Sequence, residues 1–319
     1  MASTALKPEL DAQYRAMREG AGILDRSERG KLTVTGEEAA EYLQGQLTND
    51  IEALGVDEGT YAALLDRKGH IQADMRVLRL STGEVWLDLE PAATEATLKH
   101  LRTYAIGREL EISDVTESWS ITSLIGPASA TFAGIEGLPS EHAQRFRDWD
   151  GIEVLAVATE AGLDLITRPE QADALSRKLA EAGAEEVSAE AAEILRVESG
   201  RPRLGFEMGP DTMPAEAGIV ERAVDFEKGC YIGQEPVARL HYRGRPNRRL
   251  VGLKLAVQAN PGAALALGER EVGSLGSACV SPACGPIALA VVRREAELGA
   301  TIAVEGGGTA EVVELPFDA

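Results

Sequence analysis

A change in hydrophobic period near residue 59 most constrains what this chain can fold into. From there apolar and polar residues alternate in TYAALLD, HIQADMRVLRL and EVWLDL, and turns containing glycine separate the three stretches. This period of two predicts half-buried antiparallel strands. Asp74 lies on the polar face of the middle stretch. Its carboxylate could accept an N–H from a ligand, or simply be solvated.

Helical periodicity flanks these strands. Thr35 precedes Glu38 by the capping-box spacing, and apolar residues then recur every four positions. The pattern predicts a helix over 35–47. Three further helices are predicted, over 91–104, 169–183 and 188–199.

The rest of the chain predicts more strands. Residues 119–185 mix strand-like stretches with a helix, which indicates a second α/β unit. Glycine and proline are dense over 201–249, where regular periodicity fades and a loop region is expected. After residue 250, short and closely spaced strands indicate a small β-barrel or sandwich. Because strands and helices are partly segregated, the predicted fold class is α+β.

Charge and composition exclude some functions. The 319 residues include 32 basic and 52 acidic side chains, a net charge of −20. This balance argues against a general nucleic-acid binder and against binding to an anionic membrane. No apolar run suits a signal peptide or a membrane span, and three cysteines do not make a disulfide framework. A cytoplasmic protein with reduced thiols is expected.

The stretch KGCYIGQE places a cysteine in an unusual setting. Gly229 and Gly233 permit tight turns that would hold Cys230 at a bend. Lys228 nearby would favour the thiolate, which attacks electrophiles or binds metal. The alternative is a small buried apolar residue. The local sequence leaves both interpretations open.

The other two thiols favour packing. Cys279 and Cys284 are spaced as CVSPAC among small residues, but no second pair completes a four-ligand zinc site. The four histidines form no HxxxH or HxH pair. No metal site is predicted.

An arginine cluster reverses the overall negative charge. Five arginines lie within RLHYRGRPNRR: Arg239, Arg243, Arg245, Arg248 and Arg249. Guanidinium groups bind carboxylates and phosphates through paired hydrogen bonds, so a polyanionic ligand is one interpretation. A solvated loop that pairs with acidic residues elsewhere is the other.

Taken together, these stretches resemble the folate-binding superfamily of the glycine-cleavage T-protein, an aminomethyltransferase. DRKGHIQADMRV is similar to the family's hairpin with a glycine and then an aspartate, and GRPNRRLVGL to the start of its C-terminal barrel. LRVESGRPRLGFEM looks like its central segment. KGCYIGQEPVAR resembles the signature of the YgfZ-type branch, whose relatives include mitochondrial iron–sulfur assembly factors. True aminomethyltransferases lack this cysteine.

The resemblance implies a three-lobed, aminomethyltransferase-like ring whose central channel holds tetrahydrofolate, followed by a C-terminal β-barrel. The folate-binding region would cover residues 1–249, with a second lobe over about 116–185. The barrel domain would cover residues 250–319.

The resemblance also assigns candidate folate contacts. Asp74 falls where the transferases carry an aspartate near the reactive folate nitrogens. Asp164 falls where they carry a glutamate that grips the pterin, but its side chain is one methylene shorter. Arg248 and Arg249 match basic residues that face the folate.

Three residues are the catalytic candidates: Cys230, Asp74 and Lys228. The chain has Ala192 at the position, four residues before Arg196, where the transferases carry an arginine. That departure argues against ordinary aminomethyl transfer.

Three functions remain open at this stage. The first is a tetrahydrofolate-dependent factor in assembly or repair of iron–sulfur proteins, with folate and iron–sulfur client or assembly proteins as partners. The alternative is an enzyme that moves a one-carbon unit between an amine donor and tetrahydrofolate. The third is a folate-sensing or scaffolding protein. One cysteine cannot supply the four ligands of a cluster, so any cluster would be shared or transient.

Overall fold

The computed structural model describes residues 7–318. Its α-helices are α1 Pro8–Glu19, α2 Ala39–Gln44, α3 Thr94–Tyr104, α4 Ser129–Ala133, α5 Pro169–Glu181, α6 Ala189–Glu198, α7 Val220–Ala223 and α8 Gln234–Arg243. The chain forms two compact units. The first comprises Arg15–Val187 and Glu221–Gln234, and the second comprises the remaining described residues.

Two mostly antiparallel sheets build the first unit. Their strands are β1 Gly22–Asp25, β2 Gly30–Thr35, β3 Glu58–Leu65, β4 Ile71–Ser81, β5 Glu84–Leu89, β6 Glu111–Asp114, β7 Ser120–Ile125, β8 Gln144–Trp149, β9 Ile152–Thr159, β10 Gly162–Thr167 and β11 Glu185–Glu186. One sheet has the order β3-β4-β5-β2-β6, and the other has the order β11-β1-β7-β10-β9-β8. The second sheet therefore recruits β1 from the N-terminal part of the chain.

The hairpin array predicted from the period of two is confirmed. β3, β4 and β5 pair in sequence with antiparallel register. Ile71, Ala73 and Met75 on β4 are almost fully buried, because this face of the strand packs into the core. The opposite face carries Asp74 and Arg76.

The helix predicted over 35–47 begins later than expected. Thr35 is the last residue of β2, where it pairs with Glu84 and Glu111 in the sheet. α2 begins at Ala39, and the side chain of Glu38 at the N-cap makes no capping hydrogen bond. The capping-box prediction is wrong because Thr35 is paired in the sheet and does not cap the helix.

A closed β-barrel dominates the second unit. Its strands are β12 Arg248–Leu255, β13 Ala264–Leu267, β14 Arg270–Ser281, β15 Gly285–Arg293, β16 Thr301–Val304 and β17 Thr309–Val313. They close in the order β12-β15-β14-β13-β16-β17. Aliphatic residues such as Leu253, Leu265 and Val292 fill its interior. The predicted α+β class with a C-terminal barrel is confirmed.

Two helices, the short α7 and the longer α8, were missed within the segment expected to be a loop. α8 contains Pro236 at its third position. Proline is tolerated in the first turn of a helix, where its missing N–H leaves no hydrogen bond unmade. Among residues 7–318, no helix combines the length and the apolar character needed to cross a membrane.

Candidate functional site

Cys230 lies in the segment 224–233 between α7 and α8, here named the Cys230 loop, and its side chain is exposed. The backbone of this loop is tied to the segment after α2. The Asp225 N–H donates to the Thr48 carbonyl at 3.0 Å, and the Ile232 N–H donates to the Gly45 carbonyl at 3.3 Å. The thiol is therefore exposed on an anchored backbone.

The Lys228 side chain also anchors the Cys230 loop. Its Nζ donates to the carbonyl oxygens of Gln44 at 2.7 Å, Leu47 at 2.6 Å and Asn49 at 2.7 Å. Burial lowers the pKa of Lys228 to about 8, so the ammonium form still prevails at neutral pH. Because an ammonium has three N–H donors, these carbonyls use all of them. The structure thus places Lys228 as an anchor of the loop, with no hydrogen left for the Cys230 sulfur.

The two glycines beside Cys230 differ in what the fold requires of them. Gly233 has φ +84°, and a Cβ there would lie 2.5 Å from the Asp66 carbonyl oxygen. A Cβ on Gly229 would meet nothing within 4 Å. Gly233 is therefore the glycine that lets the loop approach the β3–β4 turn closely.

Cys279 and Cys284 are packed in the second unit, as predicted. Both lie against a cluster that includes Ile287 and Leu289. Burial raises the pKa of Cys279 to about 12, and the Cys284 Sγ donates to the Asp318 carbonyl at 3.4 Å. No group of three or more His, Cys, Asp or Glu side chains within residues 7–318 is arranged to hold a metal ion.

Asp74 has one bonded and one unbonded carboxylate oxygen. Its Oδ2 accepts a hydrogen bond from the Tyr61 hydroxyl at 2.8 Å. Its Oδ1 is buried and has no hydrogen-bond partner. Burial raises the pKa of Asp74, while Tyr61 and Arg29 oppose the shift. A buried acceptor without a donor is costly, so this oxygen suits an N–H from a ligand.

Two further aspartates lie in a buried ionic network around Arg76. The Arg76 Nη2 donates to the Asp88 Oδ2 at 2.5 Å, and the Arg29 Nε donates to the Asp88 Oδ1 at 2.5 Å. Burial alone would raise the pKa of Asp88, but these two guanidinium groups lower it to about 2. Asp88 is therefore ionised and fully engaged with arginine.

Asp164 joins the two sheets of the first unit. Its Oδ2 accepts from the Arg76 Nη1 at 2.7 Å, and its Oδ1 accepts from the Ser123 hydroxyl at 2.5 Å. The resemblance makes Asp164 a candidate folate contact, at the position of a glutamate that grips the pterin in the transferases. In the structure each oxygen already has a protein donor. We name Asp74, Asp88, Asp164, Arg29 and Arg76 the aspartate cluster.

Arg248 and Arg249, in the second unit, have different partners. Arg248 forms two hydrogen bonds of 3.0 Å to the Glu216 carboxylate and pairs with Asp211. Arg249 donates from Nη2 to the Ala296 carbonyl at 3.1 Å, while its Nε is buried without a partner. Arg248 thus fits the alternative of pairing with acidic residues of another segment, and Arg249 keeps a donor for a ligand.

The remaining arginines of the cluster are exposed. They are Arg239 and Arg243 on α8 and Arg245 just after it. None of the three forms an ion pair with a described residue.

Sequence reasoning missed Tyr61, which donates to Asp74, and Arg222, which lies against Tyr61. The Arg222 guanidinium lies over the Tyr61 ring, 4.7 Å from its centroid, and pairs with Glu141 at 3.1 Å. Arg76 was also not selected as a site residue. The period of β4 does place Arg76 on the face of Asp74, two residues on, so that signal was present in the sequence.

Comparison with known proteins identifies the family. The model of the GCVT N-terminal domain matches residues 3–228, and that of the glycine cleavage T-protein C-terminal barrel domain matches residues 248–318. This chain belongs to the glycine cleavage T-protein family. The superfamily predicted from the sequence is thereby confirmed.

Relatives of the T-protein family align over nearly the whole chain. The aminomethyltransferase of Rubrobacter xylanophilus is 33% identical over 97% of this chain and 86% of its own length. That of Saccharopolyspora erythraea is 30% identical over 96% of this chain and 89% of its own length. The crystal structure of the glycine cleavage system aminomethyltransferase T from Bartonella henselae superposes with a TM-score of 0.86 at 24% identity, covering 97% of this chain and 89% of that one. This superposition agrees with the α+β fold.

Proposed function

We propose that this T-protein family member binds tetrahydrofolate and acts in the assembly or repair of iron–sulfur proteins, with Cys230 as its functional thiol. The exposed sulfur on the anchored Cys230 loop is the observation that carries the proposal. The resemblance of KGCYIGQEPVAR to the YgfZ-type branch supports it. The reactive form of a thiol must reach its partner, and an exposed side chain on a fixed backbone allows this.

The charged groups of the chain fit tetrahydrofolate in part. Aminomethyltransferases of this family use tetrahydrofolate, which supplies a carrier for a one-carbon unit. The buried Oδ1 of Asp74 lacks a donor and suits an N–H of the folate. Arg249, with an unpartnered Nε–H, suits a carboxylate. Arg248 and Asp164 are weaker candidates, because protein partners already bind them.

Cys230 would act as a nucleophile or as a ligand. A single sulfur cannot hold a cluster alone, so contact with a cluster would be shared with a client or transient. Lys228, which the sequence selected as catalytic, is proposed to position the Cys230 loop through its three carbonyl contacts.

Complementation in cells that lack this protein tests the proposal. The activity of a [4Fe–4S] enzyme in cell extracts is compared after expression of wild type, Cys230→Ser and Cys284→Ser. Cys284→Ser is the matched control because its thiol is packed and its hydroxyl can still donate to Asp318. We expect wild type and Cys284→Ser to restore activity and Cys230→Ser to fail. Full restoration by Cys230→Ser would refute a functional thiol.

The second candidate is one-carbon transfer of the aminomethyltransferase type. The names of the aligned relatives favour it, as does a buried carboxylate with a raised pKa at Asp74. Purified protein with tetrahydrofolate and an aminomethyl donor decides between the two. Methylenetetrahydrofolate formed by Cys230→Ser but not by Asp74→Asn would favour the transferase. Stabilisation by folate without turnover or a thiol requirement would favour a folate-sensing role.

A further inference from the structure

Three aspartates in the first unit differ in how their carboxylate oxygens are hydrogen-bonded. Asp88 and Asp164 each have both oxygens bonded to protein donors. Asp74 alone of the three keeps a buried oxygen with no donor. The difference arises from Arg76, whose two Nη atoms reach Asp88 and Asp164 at 2.5 and 2.7 Å.

This arrangement decides which part of a pterin a carboxylate can recognise. The 2-amino group and the adjacent ring N–H of a tetrahydropterin form a pair of donors that matches both oxygens of one carboxylate. At Asp164, such a pair would compete with the Arg76 guanidinium for one oxygen and with the Ser123 hydroxyl for the other. Displacing Arg76 would leave a guanidinium that is only 7% exposed without that partner. Breaking one side of a buried ion pair is strongly unfavourable.

We propose that Arg76 is a specificity-determining residue: by occupying Asp164, it makes the chain recognise folate through Asp74 and not through the amino edge of the pterin. The inference rests on the proposed folate binding and states which ligand atoms the site recognises. Arg76 is two residues from Asp74, so the alternation of a strand places both on the same face of β4. Asp164 becomes a partner of Arg76 that holds the two sheets together.

Paired ligands test this inference on the wild-type protein. Tetrahydrofolate and its 2-desamino analogue, which lacks the amino donor, are each titrated calorimetrically under anaerobic conditions. A site that binds the amino group with a buried carboxylate rejects the analogue strongly, because the carboxylate is then left unpaired. For the wild type we expect dissociation constants within about fivefold of each other. A larger preference for tetrahydrofolate would overturn the inference.

Arg76→Met provides the converse measurement. Removing the guanidinium releases the Asp164 Oδ2, so tetrahydrofolate should now bind at least about tenfold more tightly than the analogue. Arg79→Met is the matched control, because Arg79 lies on the same strand and bonds the carbonyls of Glu52 and Leu54. The control should bind both ligands as the wild type does. Circular dichroism melting establishes that each variant is folded.

If Arg76→Met does not fold, Arg76→Lys tests the same inference. A lysine retains one charge but cannot span both aspartates, so we expect the tetrahydrofolate preference to rise above the wild-type ratio. An unchanged ratio in every folded variant would overturn the inference. If the wild type binds neither ligand, the proposed folate binding fails. In that case tetrahydrofolate binding gained by an Arg76 variant would still support the inference, and its absence would overturn it.

Discussion

The Cys230 loop and the aspartate cluster both have polar groups bonded within the protein. They differ in whether the group that remains available is exposed or buried. In the loop, the Lys228 ammonium and backbone N–H groups are bonded to carbonyls, and the thiol points to solvent. In the cluster, Arg29 and Arg76 bind two aspartates, and the one oxygen left over, on Asp74, is buried. Each region therefore has a bonded framework around one available group.

The difference between these regions is access. An exposed thiol can meet a protein-sized partner, whereas a buried oxygen can meet only a ligand that enters the protein. This difference suggests a division of work, with small-molecule binding at Asp74 and contact with a client at Cys230. Four predictions test the comparison.

The largest effect is expected from Asp88→Asn, which breaks the framework of the aspartate cluster. The variant removes the carboxylate that Arg29 and Arg76 share, although Arg29 keeps Glu90 and Arg76 keeps Asp164 as charged partners. Loss of this buried partner should lower the free energy of unfolding by about 3–5 kcal/mol. Because the folded-state pKa of Asp88 is about 2, its stabilisation is present above the unfolded value near 3.9 and is lost as pH falls towards 2. Urea unfolding between pH 2 and 7 measures this effect.

The control for this measurement is a variant of an exposed aspartate. Asp173→Asn changes an exposed carboxylate on α5 and should alter stability by less than about 0.5 kcal/mol. An equally small change for Asp88→Asn would show that the cluster does not stabilise the fold.

The next effect compares the thiols of Cys230 and Cys279. Iodoacetamide at pH 8 should label Cys230 at least about 100-fold faster than Cys279, because burial keeps Cys279 protonated, with a pKa of about 12. Mass spectrometry of peptides gives the site-specific rates. Fast labelling should disappear in Cys230→Ser. Equal rates for Cys230 and Cys279 would remove the contrast between the loop and the barrel.

Two glycine variants sharpen the claim that the loop is anchored. Gly233→Ala should lower the free energy of unfolding by about 1–3 kcal/mol, because φ is +84° and the new Cβ would meet the Asp66 carbonyl. Gly229→Ala should have little effect, since its Cβ would enter open space. Thermal and urea unfolding of both variants measures the difference. Similar losses for the two would contradict the role given to Gly233.

The smallest effect is a gain of stability from Asp74→Asn. Burial raises the folded-state pKa of Asp74, so above the unfolded value near 3.9 its ionised form costs stability that a neutral amide does not. At pH 7 the variant should be more stable by about 1 kcal/mol, and below about pH 4 the gain should vanish. Unfolding curves at pH 3.5 and 7 test this sign. Destabilisation at pH 7 would indicate that the Asp74 carboxylate is well solvated or paired.

Much of the fold could be predicted from sequence because hydrophobic period reports burial directly. The alternation in β4 and the close strands of the barrel were sufficient to predict these elements. Thr35 shows the limit, because its capping-box spacing is local whereas its pairing with Glu84 depends on the sheet. α8 shows another limit, since Pro236 obscured a helix that tolerates it in the first turn.

The candidate site was predictable to a lesser extent. Glycines around Cys230 indicated a bend but left an available thiol and a buried one both open, and in the structure the thiol is exposed. The lysine beside it was interpreted as an activator, but its three carbonyl partners lie about 180 residues earlier in the chain. The pairing of Arg76 with Asp164 joins two sheets. Contacts of this range depend on the packed fold and have no local sequence pattern.

The division of work between Asp74 and Cys230 is tested most directly by one calorimetric titration of tetrahydrofolate into three proteins. We predict that the wild type and Cys230→Ser bind with dissociation constants within about twofold. Asp74→Asn should bind at least about tenfold more weakly, a loss of about 1.4 kcal/mol. Absence of binding by the wild type, or an unchanged affinity in Asp74→Asn, would contradict the account.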